Sequence, residues 1–383
     1  MEGLGIYTPT MRLLPIFLLF LALMIKANAQ WEIQHSGTTA SLRGIDNVGG
    51  GVAWASGTGG TVLKTEDGGK HWQVCAVPPG AETLDFRGVQ AFDAKTAIVM
   101  SSGKGDLSRL YKTTDGCATW KLVFTNPDKD GFWDALQARD QDQLEIAGDS
   151  VDRPLVNEKM GHILPVWKYN EGDDPAGDLS DHFFELAALS GESGFAGSNS
   201  TLVLGSVPKR DPVWNYQWLA TQTPEHSYIH REAEEDTPTC EPCRGERLRV
   251  ETPMSQGSES AGIFSLAFRE DRIGIAVGGD YRKPNDPTKT ASYSVDTGKN
   301  WVLAVRSPHG YRSAVAYDAN ARAWISVGPN GTDVSFDDGK NWKPLTPGAG
   351  ETLGADKDWN ALSLPFVVGP NGRIGVLRDR VLK

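Results

Sequence analysis

An all-β fold is predicted, and three observations carry it. The pattern Ser/Thr-x-Asp-x-Gly-x-x-Trp is written four times, at 65–72, 113–120, 294–301 and 335–342, with Cys117 in the glycine position of the second copy. The first two Asp positions (67 and 115) lie 48 residues apart and the last two (296 and 337) 41 apart, the length of one four-stranded unit in a ring of repeats. Short β-branched and aromatic runs separated by glycine-rich turns fill the intervals. Together these specify a seven-bladed β-propeller of four-stranded antiparallel blades, closed by the mature N-terminal strand.

Residues 1–29 read as a signal peptide. Arg12 supplies the positive start, 13–25 is an apolar run, and Ala27-Asn28-Ala29 is a small-x-small cleavage pattern before Gln30. Met11 is an alternative start to Met1. The expected location is therefore periplasmic or extracellular, with membrane contact only through the leader. Residues 30–383 are expected to form the propeller.

Within it, first strands are expected at 42–45, 86–89, 133–136, 263–266, 312–315 and 359–362, and second strands at 52–57, 97–100, 144–148, 275–278, 325–328 and 366–369. A degraded fourth blade is expected from 194–197 (first strand), 214–219, 227–231 and 248–251, with a polar loop insertion at 232–247. A short helix is expected over 180–189. The last blade lacks a fourth strand, and 31–34 is expected to supply it, which removes the free sheet edges.

The 383 residues carry a net charge of −11, or −12 once Glu2, Arg12 and Lys26 leave with the leader. No basic cluster favours nucleic acid, and the overall field repels phosphate backbones. Of four cysteines, Cys75 and Cys117 stand isolated in sequence, while Cys240 and Cys243 form a Cys-x-x-Cys pair. Three readings of that pair stay open: a loop-bracing disulfide, a zinc site with His226 and His230, or a redox pair. No metal and no cofactor are expected.

Asp67, Asp115, Asp296 and Asp337, with Trp72, Trp120, Trp301 and Trp342, are expected to build turns. The Ser/Thr hydroxyl and the Asp carboxylate would bond back to turn amides, and the Trp would pack between sheets. These turns resemble the Asp-box, or bacterial neuraminidase repeat, propellers. The Arg-Gly-Ile/Val steps at Arg43 and Arg87, and the stretches 64–72, 261–268 and 311–315, are most similar to the photosystem II stability/assembly factor-like family and related exported propellers, some loosely labelled oxidoreductase. That resemblance implies assembly or binding duties.

In a propeller, the starts of the first strands and the second-to-third turns share one face. Arg43, Arg87, Trp133, Asp134, Arg312 and Trp359 are expected around its mouth, with Asp149, Asp280 and Tyr281 farther out. Such a mouth suits a partner protein, an acidic small ligand or a glycan, bound by a monomer. The rival reading pairs the arginines with Asp134, Asp149 and Asp280 as an inert lining. A sialidase-like hydrolase would need three arginines and a tyrosine nucleophile, Tyr281 or Tyr311, but the Arg-Ile-Pro step and a backing glutamate are missing. No catalytic residue is assigned.

Overall fold

The computed structural model describes residues 30–141, 143–154, 160–170, 183–207, 213–236, 245–345, 354–378 and 382. The leader and the pair Cys240 and Cys243 lie outside them. The chain opens with β1 (Trp31–Gln34) and then lays down sheets in sequence order. Blade 1 is β2 (Leu42–Gly49), β3 (Val52–Gly57), β4 (Val62–Thr65) and β5 (Gln73–Val74). Blade 2 is β6 (Phe86–Ala91), β7 (Ala97–Ser101), β8 (Arg109–Thr113) and β9 (Lys121–Thr125). Blade 3 holds β10 (Trp133–Ala138), β11 (Gln143–Gly148), β12 (Val151–Pro154), β13 (Met160–Asn170) and β14 (Phe183–Ala187). In it Ile163 pairs with Val151 on one edge of β13 and with Ala187 on the other.

Blade 4 is β15 (Leu202–Val207), β16 (Val213–Gln222), β17 (Ser227–Asp236) and β18 (Gly245–Thr252). Blade 5 is β19 (Ala261–Arg269), β20 (Ile273–Asp280), β21 (Ala291–Ser294) and β22 (Val302–Leu303). Blade 6 is β23 (Ala314–Asp318), β24 (Ala323–Gly328), β25 (Gly331–Ser335) and β26 (Lys343–Pro344). Blade 7 is β27 (Ala361–Ser363), β28 (Phe366–Val368) and β29 (Ile374–Leu377), completed by β1. The fold is a seven-bladed propeller of antiparallel blades.

Closure works as the pattern requires. Trp31 pairs with Leu377 and Gln34 with Ile374, so the first strand becomes the outer edge of the last blade. Trp31 is buried at 5.9 Å from the ring of Trp359, and its Nε1 donates to Thr332 Oγ1 of blade 6 at 2.9 Å. Among the described residues the apolar core divides into seven clusters, each bridging two adjacent blades. Trp54 with Phe86 and Tyr111 fills one seam, and Ile275 with Trp324 and Trp342 another. Central strands such as β3, β7 and β24 are buried along nearly their whole length, because side chains on the two faces of a blade enter the seams to its two neighbours.

The repeated turn closes in the same way in all four copies. Thr65 Oγ1 donates to Asp67 Oδ1 at 3.0 Å and accepts from Gly69 N at 3.0 Å, while Asp67 Oδ1 also accepts from His71 N at 3.0 Å. The sets around Asp115, Asp296 and Asp337 match it. The exposed Asp67 carboxylate is held down to about 2 by the His71 backbone and side-chain hydrogen bonds, and Asp115 to about 2 by Thr119. Trp72 packs edge-on against Phe366 of blade 7, and Trp120 against Trp54 of blade 1.

One expectation about cysteine chemistry needs correction. Cys75 and Cys117 are not isolated: they form a disulfide with a Cα–Cα distance of 5.5 Å. A Cβ at Gly69 would lie 2.9 Å from Phe366, and one at Gly298 2.9 Å from Trp218, each in the preceding blade. A side chain at this turn position therefore aims across the seam. Cys117 stands there at φ 70° and reaches Cys75 of blade 1.

Three expectations between residues 180 and 247 need correction. The span 183–187 is strand β14, not helix, because it pairs with β13 from Trp167 to Ile163. The long hairpin β17–β18 takes in 232–236 and 245–247, half of the expected loop 232–247. The first strand is β15, and 194–197 lies before it in a different role.

Candidate functional site

In four blades the first strand carries a register shift at its start: between Leu42 and Gly44, Phe86 and Gly88, Trp133 and Ala135, and Ile263 and Ser265. The skipped residues are Arg43, Arg87, Asp134 and Phe264. A bulge re-aims its extra residue, and here it turns these side chains toward the axis of the ring. The preceding residue in each blade faces the seam instead: Leu42, Phe86, Trp133, Ile263, Arg312 and Trp359 are all buried to 1 % exposure or less. The channel-facing equivalents in blades 6 and 7 are Ser313 and Asn360.

The channel is not open. Residues 194–200, of which 194–197 were expected as a first strand, cross it as a plug. Arg87 Nη1 donates to Ala196 O (3.3 Å) from blade 2, Leu136 N to Asn199 Oδ1 (2.7 Å) from blade 3, and Leu266 N to Ser200 O (2.7 Å) from blade 5. Blades 2 and 5 are not neighbours, so a segment touching both must lie between them. Above the plug is a cavity of about 490 Å³, walled by Arg43, Arg87, Phe264, Tyr281, Tyr311, Ser313, Pro329, Trp359 and Asn360, with Phe195, Ala196 and Gly197 below. The repeated turns, joining third to fourth strands, fall on the opposite face by the direction of the chain.

One wall is cationic. Asp85 lies between the two arginines, with Arg43 Nε 3.3 Å from its Oδ1 and Arg87 Nε donating to its Oδ2 at 2.8 Å. Two guanidinium groups on one carboxylate leave an excess positive charge. Burial lowers the Arg43 guanidinium below its ordinary value, opposed by Asp85 and reinforced by Arg87. The opposite wall is aromatic. Phe195 stacks on Phe264 at 3.8 Å, Tyr311 meets Phe264 edge-on at 4.7 Å, and the half-exposed Tyr281 meets both phenylalanine rings edge-on. Burial drives the Tyr311 hydroxyl well above its ordinary value, so it stays protonated.

The plug is held from behind by buried polar groups. Glu192 accepts from Leu189 N (2.8 Å) and Thr221 Oγ1 (2.5 Å) and meets His230 Nε2 at 2.6 Å. Asp149 Oδ1 accepts from Gly194 N at 3.1 Å. Burial pushes Asp134 far up, and the neighbouring Asp149 carboxylate adds to it; burial pushes Asp149 up to about 6.

Of the sequence-predicted site residues, Arg43, Arg87, Tyr281 and Trp359 meet at the cavity. Arg373 covers the Trp359 ring from 4.6 Å. Trp133 does not reach it: it is stacked on Phe124 in the seam. Asp134 and Asp149 sit behind the plug. Asp280 is tied down in its own turn by Ser260 Oγ (2.7 Å) and Arg282 N (3.0 Å), beside a separate small pocket with Lys283 and Asp286.

Arg312 is fully buried. Its Nε donates to Asp333 Oδ2 (2.8 Å), Nη1 to Tyr311 O (2.7 Å), and Nη2 meets His309 Nδ1 (2.8 Å). An arginine trio therefore does not assemble. Asp85, Phe195 and Phe264 were missed. Aligning 263–266 and 312–315 on Arg43-Gly44 would have indicated Phe264 and exchanged Arg312 for Ser313. His226 and His230, the zinc candidates, face Glu251 and Glu192.

Fold and cavity define a class: a plugged seven-bladed propeller with a blind pocket, cationic on one side and aromatic on the other. Its fold is similar to that of "YCF48 bound to D1 peptide", at 15% identity over 91% of this chain and 96% of that one, with a TM-score of 0.55. It is also similar to YCF48 from Cyanidioschyzon merolae (17%, 91% and 99%, 0.53) and to the WD40 β-propeller domain of Doa1 (10%, 92% and 98%, 0.55). At these identities the likeness is one of fold. No family model and no curated protein matches the sequence.

Proposed function

We propose that this chain is an exported, assembly-factor-like propeller that holds an acidic segment of a partner protein in the Arg43/Arg87 cavity. The observation that carries the reading is the charge imbalance there. Arg43 and Arg87 both pair with Asp85 on a concave wall, so one carboxylate is divided between two guanidinium groups, and an incoming carboxylate would complete the pairing with charge-assisted hydrogen bonds. A structural neighbour whose title records a bound peptide supports the choice of a protein partner.

A photo-crosslinking amino acid at Tyr281, introduced in the native host, tests this. Crosslinks to one protein, mapped to an acidic stretch and weakened about a hundredfold by Arg43→Ala with Arg87→Ala, are expected. Crosslinks indifferent to both arginines, or hydrolysis of a sialoside lost on Tyr281→Phe, would refute the reading. Export is checked by N-terminal sequencing of the mature protein, expected to begin at Gln30.

A further inference from the structure

Resting on the reading above, we infer that the cavity recognises a pair of groups: a carboxylate and an adjoining aromatic side chain on one short peptide segment. The argument begins with the size of the cavity. About 490 Å³ lies within the range of roughly 300–1,000 Å³ that holds small ligands. It admits one or two side chains or a chain end, and excludes a folded surface.

Its two walls differ in chemistry because the bulged residues differ. Arg43 and Arg87 project from blades 1 and 2, and Phe264 projects from blade 5 on the far side of the plug. Phe195 extends that apolar wall from the plug itself, and Tyr281 closes it at the rim with 45% of its surface exposed. Edge-to-face partners already surround Phe264, and the half-exposed Tyr281 ring, with the Arg282 guanidinium 5.8 Å from its centre, is the part of the cluster a ligand can reach. An aromatic ring from a ligand would complete it in the geometry such rings prefer.

The wall is also pre-formed. Fully buried Glu192, holding Leu189 N, Thr221 and His230, fixes the loop entering the plug, and Asp149 fixes Gly194. Ser193 and Gln222 exchange backbone hydrogen bonds beside it. A platform fixed this way loses little entropy on binding and so can discriminate between side chains. The two sites adjoin, since Arg43 and Arg87 line the same cavity as Phe264, Tyr281 and Tyr311. Acid and ring must therefore be near neighbours in the ligand. The carboxylate can come from an Asp or Glu side chain or from a chain terminus.

The test is a peptide array in which every pairwise combination of residues occupies the centre of a glycine–serine peptide, in free-acid and amidated forms, probed with the labelled full-length mature protein. Expected is selection of an acidic residue next to Phe, Tyr or Trp, about tenfold above the same acid next to alanine, a preference worth ~1.4 kcal/mol. Tyr281→Ala and Phe195→Ala should erase that preference while retaining binding to acidic peptides. Arg43→Ala with Arg87→Ala should remove both. Amidated peptides that bind as well as free acids assign the carboxylate to a side chain; binding confined to free acids assigns it to the terminus.

Acid-dependent binding with no aromatic preference overturns this inference and leaves the proposed function standing. Binding indifferent to acid, or none to any spot, overturns both. Tyr281 is half exposed, so its alanine variant is expected to melt as the parent does and keeps the test valid should Phe195→Ala unfold.

Discussion

The carboxyl groups of Asp134 and Asp149 lie close enough behind the plug to act on each other, with Gly194 N donating to Asp149 and the Arg87 guanidinium acting on Asp134. Asp134 is buried so closely that a Cβ at Gly194 would lie 2.5 Å from it. One proton shared between the two acids is the arrangement that burial favours near neutrality.

That pairing sets a pH dependence. The unfolded chain releases both protons near pH 4. The folded chain releases that of Asp149 at about 6 and that of Asp134 higher. Native protein thus holds more protons across this window, and this pair's contribution to stability falls as pH rises through it. Asp134→Asn is expected to stabilise the protein by about 1–2 kcal/mol at pH 8, with the gain vanishing toward pH 4. Urea melts of both proteins at several pH values check it, and a constant difference would contradict the assignment.

Reduction of Cys75–Cys117 should loosen the seam between blades 1 and 2. The linked residues are 42 apart in sequence, and losing such a bridge costs about 2–4 kcal/mol. Cys75→Ser with Cys117→Gly should lose less than Cys75→Ser with Cys117→Ala, because φ 70° suits glycine and strains alanine. Thermal melts of the three proteins, with and without reductant, would show the order.

Trp31→Ala should cost about 3–5 kcal/mol, the range for truncating a buried aromatic side chain. It empties the seam shared with Trp359 and leaves Thr332 without its donor. Hydrogen exchange should accelerate first in β29, which β1 covers. Uniform acceleration around the ring would mean that closure is not local.

Asp333→Ala should destabilise by about 3–5 kcal/mol, because it strands the Arg312 guanidinium without its carboxylate. Arg43→Ala removes a partly exposed charge and should shift stability by less than about 1 kcal/mol. The contrast, measured by chemical denaturation, separates the structural arginine from the binding one.

Much of the ring could be read from residue order. Four copies of one turn set the blade length, and the orphan strand at Trp31 had a single vacancy to fill in the last blade. Arg43 and Arg87 were reachable too, since the crowded glycine beside each marks a first strand pressed against its neighbour. Gly44, for instance, has no room for a Cβ beside Ser56 and Arg87. Arg312 was misjudged by one position, which in a strand exchanges channel for seam.

What local pattern determined is what local hydrogen bonds and short apolar runs decide: turns, strands and the closing strand. The tertiary structure alone decided the rest. Residues 194–200 carry no strand pairing of their own to announce that they plug the channel. Their partners, from Arg87 to Leu266, come from blades far apart in the chain. Cys75 found Cys117 across the seam between blades 1 and 2, Asp134 found Asp149 at the bulged end of one hairpin, and Phe195 found Phe264 across the plug: each contact depends on how the backbone packs, which residue order alone does not state.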